Sequence, residues 1–117
     1  MKSIELDKLI FKPTVCFYSK ITIVNFNSII KTGFVSVIII GLQKVACRIE
    51  SIAWKKNEQG LIQSPELLTE GDEAGVKWVA KEPVVLSLKE KSKKFGNFYI
   101  INMNVFIGFG EVTKIIS

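Results

Sequence analysis

Histidine is absent from the 117-residue chain. Imidazole acid–base catalysis, Ser-His-Asp and Cys-His nucleophile systems and most zinc sites are thereby excluded. No Gly-x-x-x-x-Gly-Lys-Ser/Thr stretch occurs, so no P-loop is available to cradle a nucleoside triphosphate. Cysteine is scarce: Cys16 and Cys47 both lie inside strand-like apolar runs. They read as small buried hydrophobes in a reducing compartment rather than as a disulfide or a reactive thiol. Long apolar runs are also missing. Residues 37–42 (Val-Ile-Ile-Ile-Gly-Leu) fall far short of the roughly 20 residues that cross a bilayer as a helix. The N-terminus is charged and carries no apolar h-region, so no secretory signal is evident and a cytoplasmic location is expected.

Arginine is represented by Arg48 alone, and the net charge of +5 comes from lysine. Lysine supplies solubility and point attraction to phosphate, not the planar fork that reads bases. The charge therefore permits contact with a ribosome or another polyanion without demanding it. Carboxylates are scattered singly, and Glu70, Asp72 and Glu73 form the one tight acidic group. A cation there would need further oxygen ligands from elsewhere, whereas a turn rim needs nothing more. The rim is the expectation. No catalytic residue, metal site or cofactor of its own is assigned to this chain, which is read as non-enzymatic by itself.

Hydrophobic residues make up 48% of the chain, enough for a globular core in one domain. Apolar and polar residues alternate over 14–24, with Val15, Phe17, Ser19, Ile21 and Ile23 on one face. Residues 34–42 read as a strand buried on both sides. Val45, Cys47 and Ile49 share a face, as do Ala74, Val76, Trp78 and Ala80. Pro83 is expected to open a separate strand over 84–88, and residues 55–70 a long polar excursion without periodicity. The closing third pairs two apolar runs, 95–102 and 105–115, across Asn102-Met103-Asn104, the pattern of a hairpin with an Asn-rich turn. Phe98 and Ile100 are placed on one face, with Ile107 and Phe109 opposite them. Gly96, Gly108 and Gly110 mark bends or close backbone approaches. So many short strands, with no helix longer than a turn or two, indicate an all-β barrel or sandwich.

Among side chains that could meet a partner, Trp54 stands beside Lys55 and Lys56 at a strand end, while Trp78 reads as core. Lys89, Lys91, Lys93 and Lys94 could contact RNA phosphates; a solvated loop kept charged against edge pairing is the simpler reading.

Six runs in register, at 17–24, 29–34, 45–49, 71–74, 82–84 and 96–98, resemble the third, C-terminal β-barrel domain of the elongation factor Tu/1-alpha class of translational GTPases. The likeness covers about residues 14–116, with 1–13 left as a lead-in or linker and 14–117 as the barrel domain. Residues 21–24 with 28–34 are most similar to the eukaryotic class II release factor GTPase. The ribosome-rescue GTPase and the adaptor linking stalled ribosomes to the Ski complex and exosome share this domain. The resemblance implies a single six-stranded antiparallel Greek-key β-barrel, preceded by a GTPase domain that would bind GTP and by a second barrel. It also implies a ribosomal role and a tRNA-shaped partner: the release factor, its decay paralogue, or aminoacyl-tRNA. No membrane is implied.

In the release-factor branch the closing hairpin reads Gly-Arg-Phe-Thr-Leu-Arg-Asp, matched by Gly96, Asn97, Phe98, Tyr99, Ile100, Ile101 and Asn102. Gly96, Phe98 and Ile100 keep the fold-bearing positions, while both arginines and the aspartate are replaced by uncharged residues. A guanidinium fork has no substitute in Asn or Ile, so partner contacts built on it would change. Asn97, Tyr99, Ile101, Asn102 and Trp54 are accordingly the candidate partner-binding residues. The divergence favours a barrel acting in ribosome rescue and nonstop or no-go mRNA decay, with translation termination as the alternative and an elongation-factor barrel contacting aminoacyl-tRNA as the second.

Overall fold

The computed structural model describes residues 13–116. Apart from Pro13, the expected lead-in over 1–13 lies outside the described residues. Seven strands form one antiparallel sheet: β1 (Pro13–Ile23), β2 (Val35–Ile40), β3 (Gln43–Asn57), β4 (Gly60–Gln63), β5 (Glu73–Val85), β6 (Asn97–Asn102) and β7 (Val105–Ile116). A single helical turn, α1 (Lys93–Gly96), precedes β6. The sheet order is β2-β6-β7-β1-β5-β3-β4, and a further β2–β3 pairing closes six of the strands into a barrel. The fourth strand hangs outside it as a short hairpin arm on β3. Closure removes the open edges that a six-stranded sheet would otherwise present.

Alternation along each strand decides which side chains enter the barrel. Phe17, Ile21, Ile38, Ile49, Val76, Trp78, Phe98 and Ile100 all point inward and are nearly solvent-free. The rings of Phe17 and Trp78 meet Phe98 edge-on, at centroid distances of 6.0 and 6.3 Å, an arrangement favoured by the ring quadrupoles. The indole Nε1–H of Trp78 donates to Ser19 Oγ at 2.8 Å, so the two buried polar atoms satisfy each other.

Several expectations need correction, each for a local reason. Val15 does not share the face of Phe17: the register slips between Thr14 and Cys16, and Thr14 is the buried residue. Residues 34–42 are not buried on both sides. Ser36, Ile38 and Ile40 line the interior while Val35, Val37 and Ile39 face outward. The segment 55–70 is not unstructured throughout. The third strand runs to Asn57 and turns through Glu58 and Gln59 into β4. Both faces of this arm are largely solvated, which erases any period-2 signal. Of the expected strand over 84–88 only Val84 and Val85 are strand, as the tail of β5, which Pro83 does not interrupt, and residues 86–88 lie outside any strand. At the closing hairpin, Asn102 still pairs with Val105, and the tight turn is made by Met103 and Asn104 at φ of 50° and 65°.

Phe109 is also displaced from its expected side. An irregularity after Ile100, where Ile100 pairs with Gly108 but Ile101 with Phe106, inserts Ile107 as an extra residue in β7. Ile107, Gly108 and Gly110 then lie inside and Phe109 outside. The close-approach reading of the glycines holds. A side chain on Gly108 would meet the carbonyl of Thr22, and one on Gly110 the ring of Phe98.

Candidate partner-binding face

The outer surface of the barrel divides into two chemically different sectors. Around β1, β5 and β3 it is a lattice of paired charges. Lys20 Nζ lies 3.4 Å from Glu111 and 3.9 Å from Glu73. Lys89 Nζ donates to Glu111 at 2.9 Å and Lys77 Nζ to Glu50 at 2.8 Å. Lys77 and Lys114 flank the ring of Tyr18 at 5.9 and 5.7 Å. The hydrogen bond from Lys89 draws the Glu111 carboxyl below its ordinary value despite partial burial, and raises the Lys89 ammonium in return. Lys77 does the same for Glu50. These contacts are solvent-screened and contribute little stability each, but they occupy the charges.

Across β2, β6 and β7 the surface changes character. Register places Ile39, Tyr99 and Phe109 in one outward row, with Val37, Ile101 and Phe106 in the next. Tyr99 is 58% exposed and Phe109 46%. Tyr99 and Phe106 meet edge-on at 5.9 Å, which props the tyrosine ring up from the sheet. A contiguous, solvent-facing aromatic and aliphatic strip of this kind is the usual mark of a docking surface. At one end it runs into a depression of about 370 Å³ between α1 and the hairpin, lined by Ile39, Lys93, Lys94, Asn97, Tyr99 and Phe109 among others.

The candidate residues fall unevenly on this map. Tyr99 and Ile101 sit within the strip. Asn97 lies at its α1 end, where its side-chain amide donates to Lys93 O at 3.0 Å and pins the helix–strand corner. Asn102 borders a separate depression near Asn25 and Met103 at the hairpin tip. Trp54 is not at this face: it sits on the β3–β4 side, half-buried, with its indole laid over Gly75. Of the lysines, Lys89 is engaged by Glu111. Lys93 and Lys94 flank the strip's depression, and Lys94 Nζ lies 5.5 Å from the Phe95 ring centroid. Sequence reasoning missed Phe109, Phe106 and Ile39. A signal for Phe109 was present in the flanking pair Gly108 and Gly110, since two glycines at inward positions force the residue between them outward.

The acidic group separates into three unrelated roles. Glu70 accepts from Phe26 N–H at 2.9 Å, and Glu73 faces Lys20. Asp72 is a buried clamp rather than part of a rim. Its carboxylate accepts from Asn57 Nδ2 at 2.8 Å and from Thr69 N–H at 2.7 Å, with Lys55 Nζ at 3.6 Å. Burial alone would push its carboxyl up, but the bonds from Asn57 and Thr69 and the charge of Lys55 outweigh burial and hold it below its ordinary value.

A family model described as GTP-eEF1A C-terminal domain-like matches residues 16–113. Elongation factor 1-alpha of Aeropyrum pernix is 32% identical over 116 residues, covering 95% of this chain and 26% of that protein. The Desulfurococcus mucosus elongation factor 1-alpha is 31% identical over 108 residues, covering 88% of this chain and 25% of its own length. The chain thus spans about a quarter of the length of these curated relatives. Crystal structures of sup35 complexed with GDP and with GMPPNP superpose with a TM-score of 0.84 at 21% identity, over 92% of this chain and 27% of theirs. Among the described residues no helix is long and apolar enough to cross a membrane. By its sequence match, and with a fold that agrees, this chain belongs to the GTP-eEF1A C-terminal domain-like family, the non-catalytic C-terminal barrel of translational GTPases.

Proposed function

We propose that this barrel is a protein-docking module in ribosome rescue and mRNA surveillance, holding a partner through the outward face of β2, β6 and β7. The observation that carries the reading is the chemical contrast on the barrel surface. The strip around Tyr99, Ile101, Phe106 and Phe109 is apolar, while in the neighbouring sector Lys20, Lys77 and Lys89 are held by Glu50, Glu73 and Glu111. A surface holding tRNA tracks phosphates with cations, whereas an aromatic and aliphatic strip suits a protein surface. The replacement of the branch's arginines by Asn97 and Ile101 agrees with this, and supports a surveillance partner over the release factor.

The test is capture of purified candidates by the whole chain: the class I release factor, its decay paralogue, and exosome or Ski subunits. Binding of the decay paralogue or of a Ski or exosome subunit, lost in Tyr99→Ala, is the expected result. Tyr99-dependent binding of the release factor alone would transfer the chain to translation termination. Tight binding of aminoacyl-tRNA that Tyr99→Ala leaves intact would overturn the docking reading altogether.

A further inference from the structure

Some lysines of the barrel are held by carboxylates, whereas Lys93 and Lys94 are set instead beside the aromatic end of the docking strip. Lys20, Lys77 and Lys89 each face Glu73, Glu50 or Glu111 within 4.0 Å. Lys93 and Lys94, like several other surface lysines, make no ion pair among the described residues, and these two line the same depression as Tyr99 and Phe109. Two cations without a carboxylate partner, Lys94 lying 5.5 Å from the Phe95 ring centroid, thus adjoin an exposed aromatic hollow. We infer that this hollow receives an acidic, extended peptide segment of the docking partner, with one apolar side chain against Tyr99 and Phe109 and carboxylates on Lys93 and Lys94.

The geometry favours peptide over nucleic acid. Tyr99 is braced edge-on by Phe106 and adjoined by Ile39, so the hollow is walled by aliphatic and aromatic carbon. The two cations of the hollow are consecutive residues of α1, and the nearby Glu111, opposite Asn97 in the ladder, is already held by Lys20 and Lys89. A phosphate chain would need positive charge along its whole track. An acidic segment needs two cations and an anchor pocket, which is what the corner supplies.

This inference rests on the docking reading, and the experiment separates the two. Fluorescence anisotropy of the whole chain is measured with a labelled peptide of glutamates flanking one phenylalanine, a glutamate-to-lysine version of it, and a labelled oligouridylate. The acidic peptide is expected to bind best, to weaken with salt, and to lose about tenfold in affinity in Lys93→Glu/Lys94→Glu and again in Tyr99→Ala. Both sites are at the surface, and circular dichroism confirms that the variants fold. Oligouridylate binding as tightly as the acidic peptide, or affinity indifferent to lysine reversal, overturns the inference. Should the purified partner of the preceding section depend on Tyr99 but not on Lys93 and Lys94, the docking face stands and the acidic anchor falls.

Discussion

The ring of Phe98 occupies the space that a side chain on Gly110 would require, one strand away across the closing hairpin. This contact lets the ring reach Phe17 and Trp78 in the middle of the barrel. It also explains why a buried strand position carries no side chain at all. Gly110→Ala is expected to destabilise the fold by about 1–3 kcal/mol, the range for overpacking a filled core. In denaturant titrations, adding Phe98→Leu to Gly110→Ala should recover part of that loss. Simple additivity of the two changes would show that the contact does not limit this position.

The bond between Trp78 and Ser19 is a polar tie between two buried side chains of the barrel interior. Ser19→Ala leaves the indole N–H buried without an acceptor, which costs about 1–3 kcal/mol. Trp78→Phe removes the donor as well as ring volume, so the double variant should lose less than the two single losses combined. Thermal unfolding of the four proteins in this cycle checks the coupling.

Asp72 makes stability depend on acid. Its folded-state carboxyl lies below the ordinary 3.8, so the group contributes stability that is full above the unfolded value and is lost as pH falls through the folded one. Asp72→Asn should therefore weaken the fold near neutral pH, by about 1.5–3 kcal/mol for the lost charge-assisted bonds. The gap between the two proteins should narrow as pH falls below 4, which urea unfolding over a pH series measures. A gap that stays constant down to pH 2 would remove the carboxylate as its source.

The two thiols should differ in reactivity. Cys47 is 1% exposed and burial pushes its thiol up to about 12, so little thiolate forms and little reagent arrives. Cys16 lies half-exposed at the outer face of β1. Alkylation of the native protein followed by mass spectrometry should label Cys16 first, with Cys47 reacting only as the chain unfolds.

Tyr99 and Phe109 should matter little for folding. Replacing Tyr99 by Ala is expected to shift stability by less than about 0.5–1 kcal/mol, since the residue is mostly in solvent. A loss comparable to that of Gly110→Ala would mean that the strip is part of the core's support rather than a surface kept for contact.

The strand pattern itself was decided by sequence. Alternation at 17–23, 45–49 and 74–80, and the spacing of the closing hairpin, follow from a chemical rule with period two that each strand obeys locally. Even the glycines at 108 and 110 announce a tight approach. What alternation could not reveal is where the phase slips. The irregularities at Val15 and Ile107 reverse which face follows them, because one inserted residue turns every later side chain over. That slip turns Phe109 from a core residue into part of the docking strip. Nor could sequence show that Trp54 covers Gly75, or that Lys89 is spent on Glu111 while Lys93 and Lys94 are left facing an aromatic hollow. Those pairings join positions far apart in the chain, and only barrel closure brings them within reach.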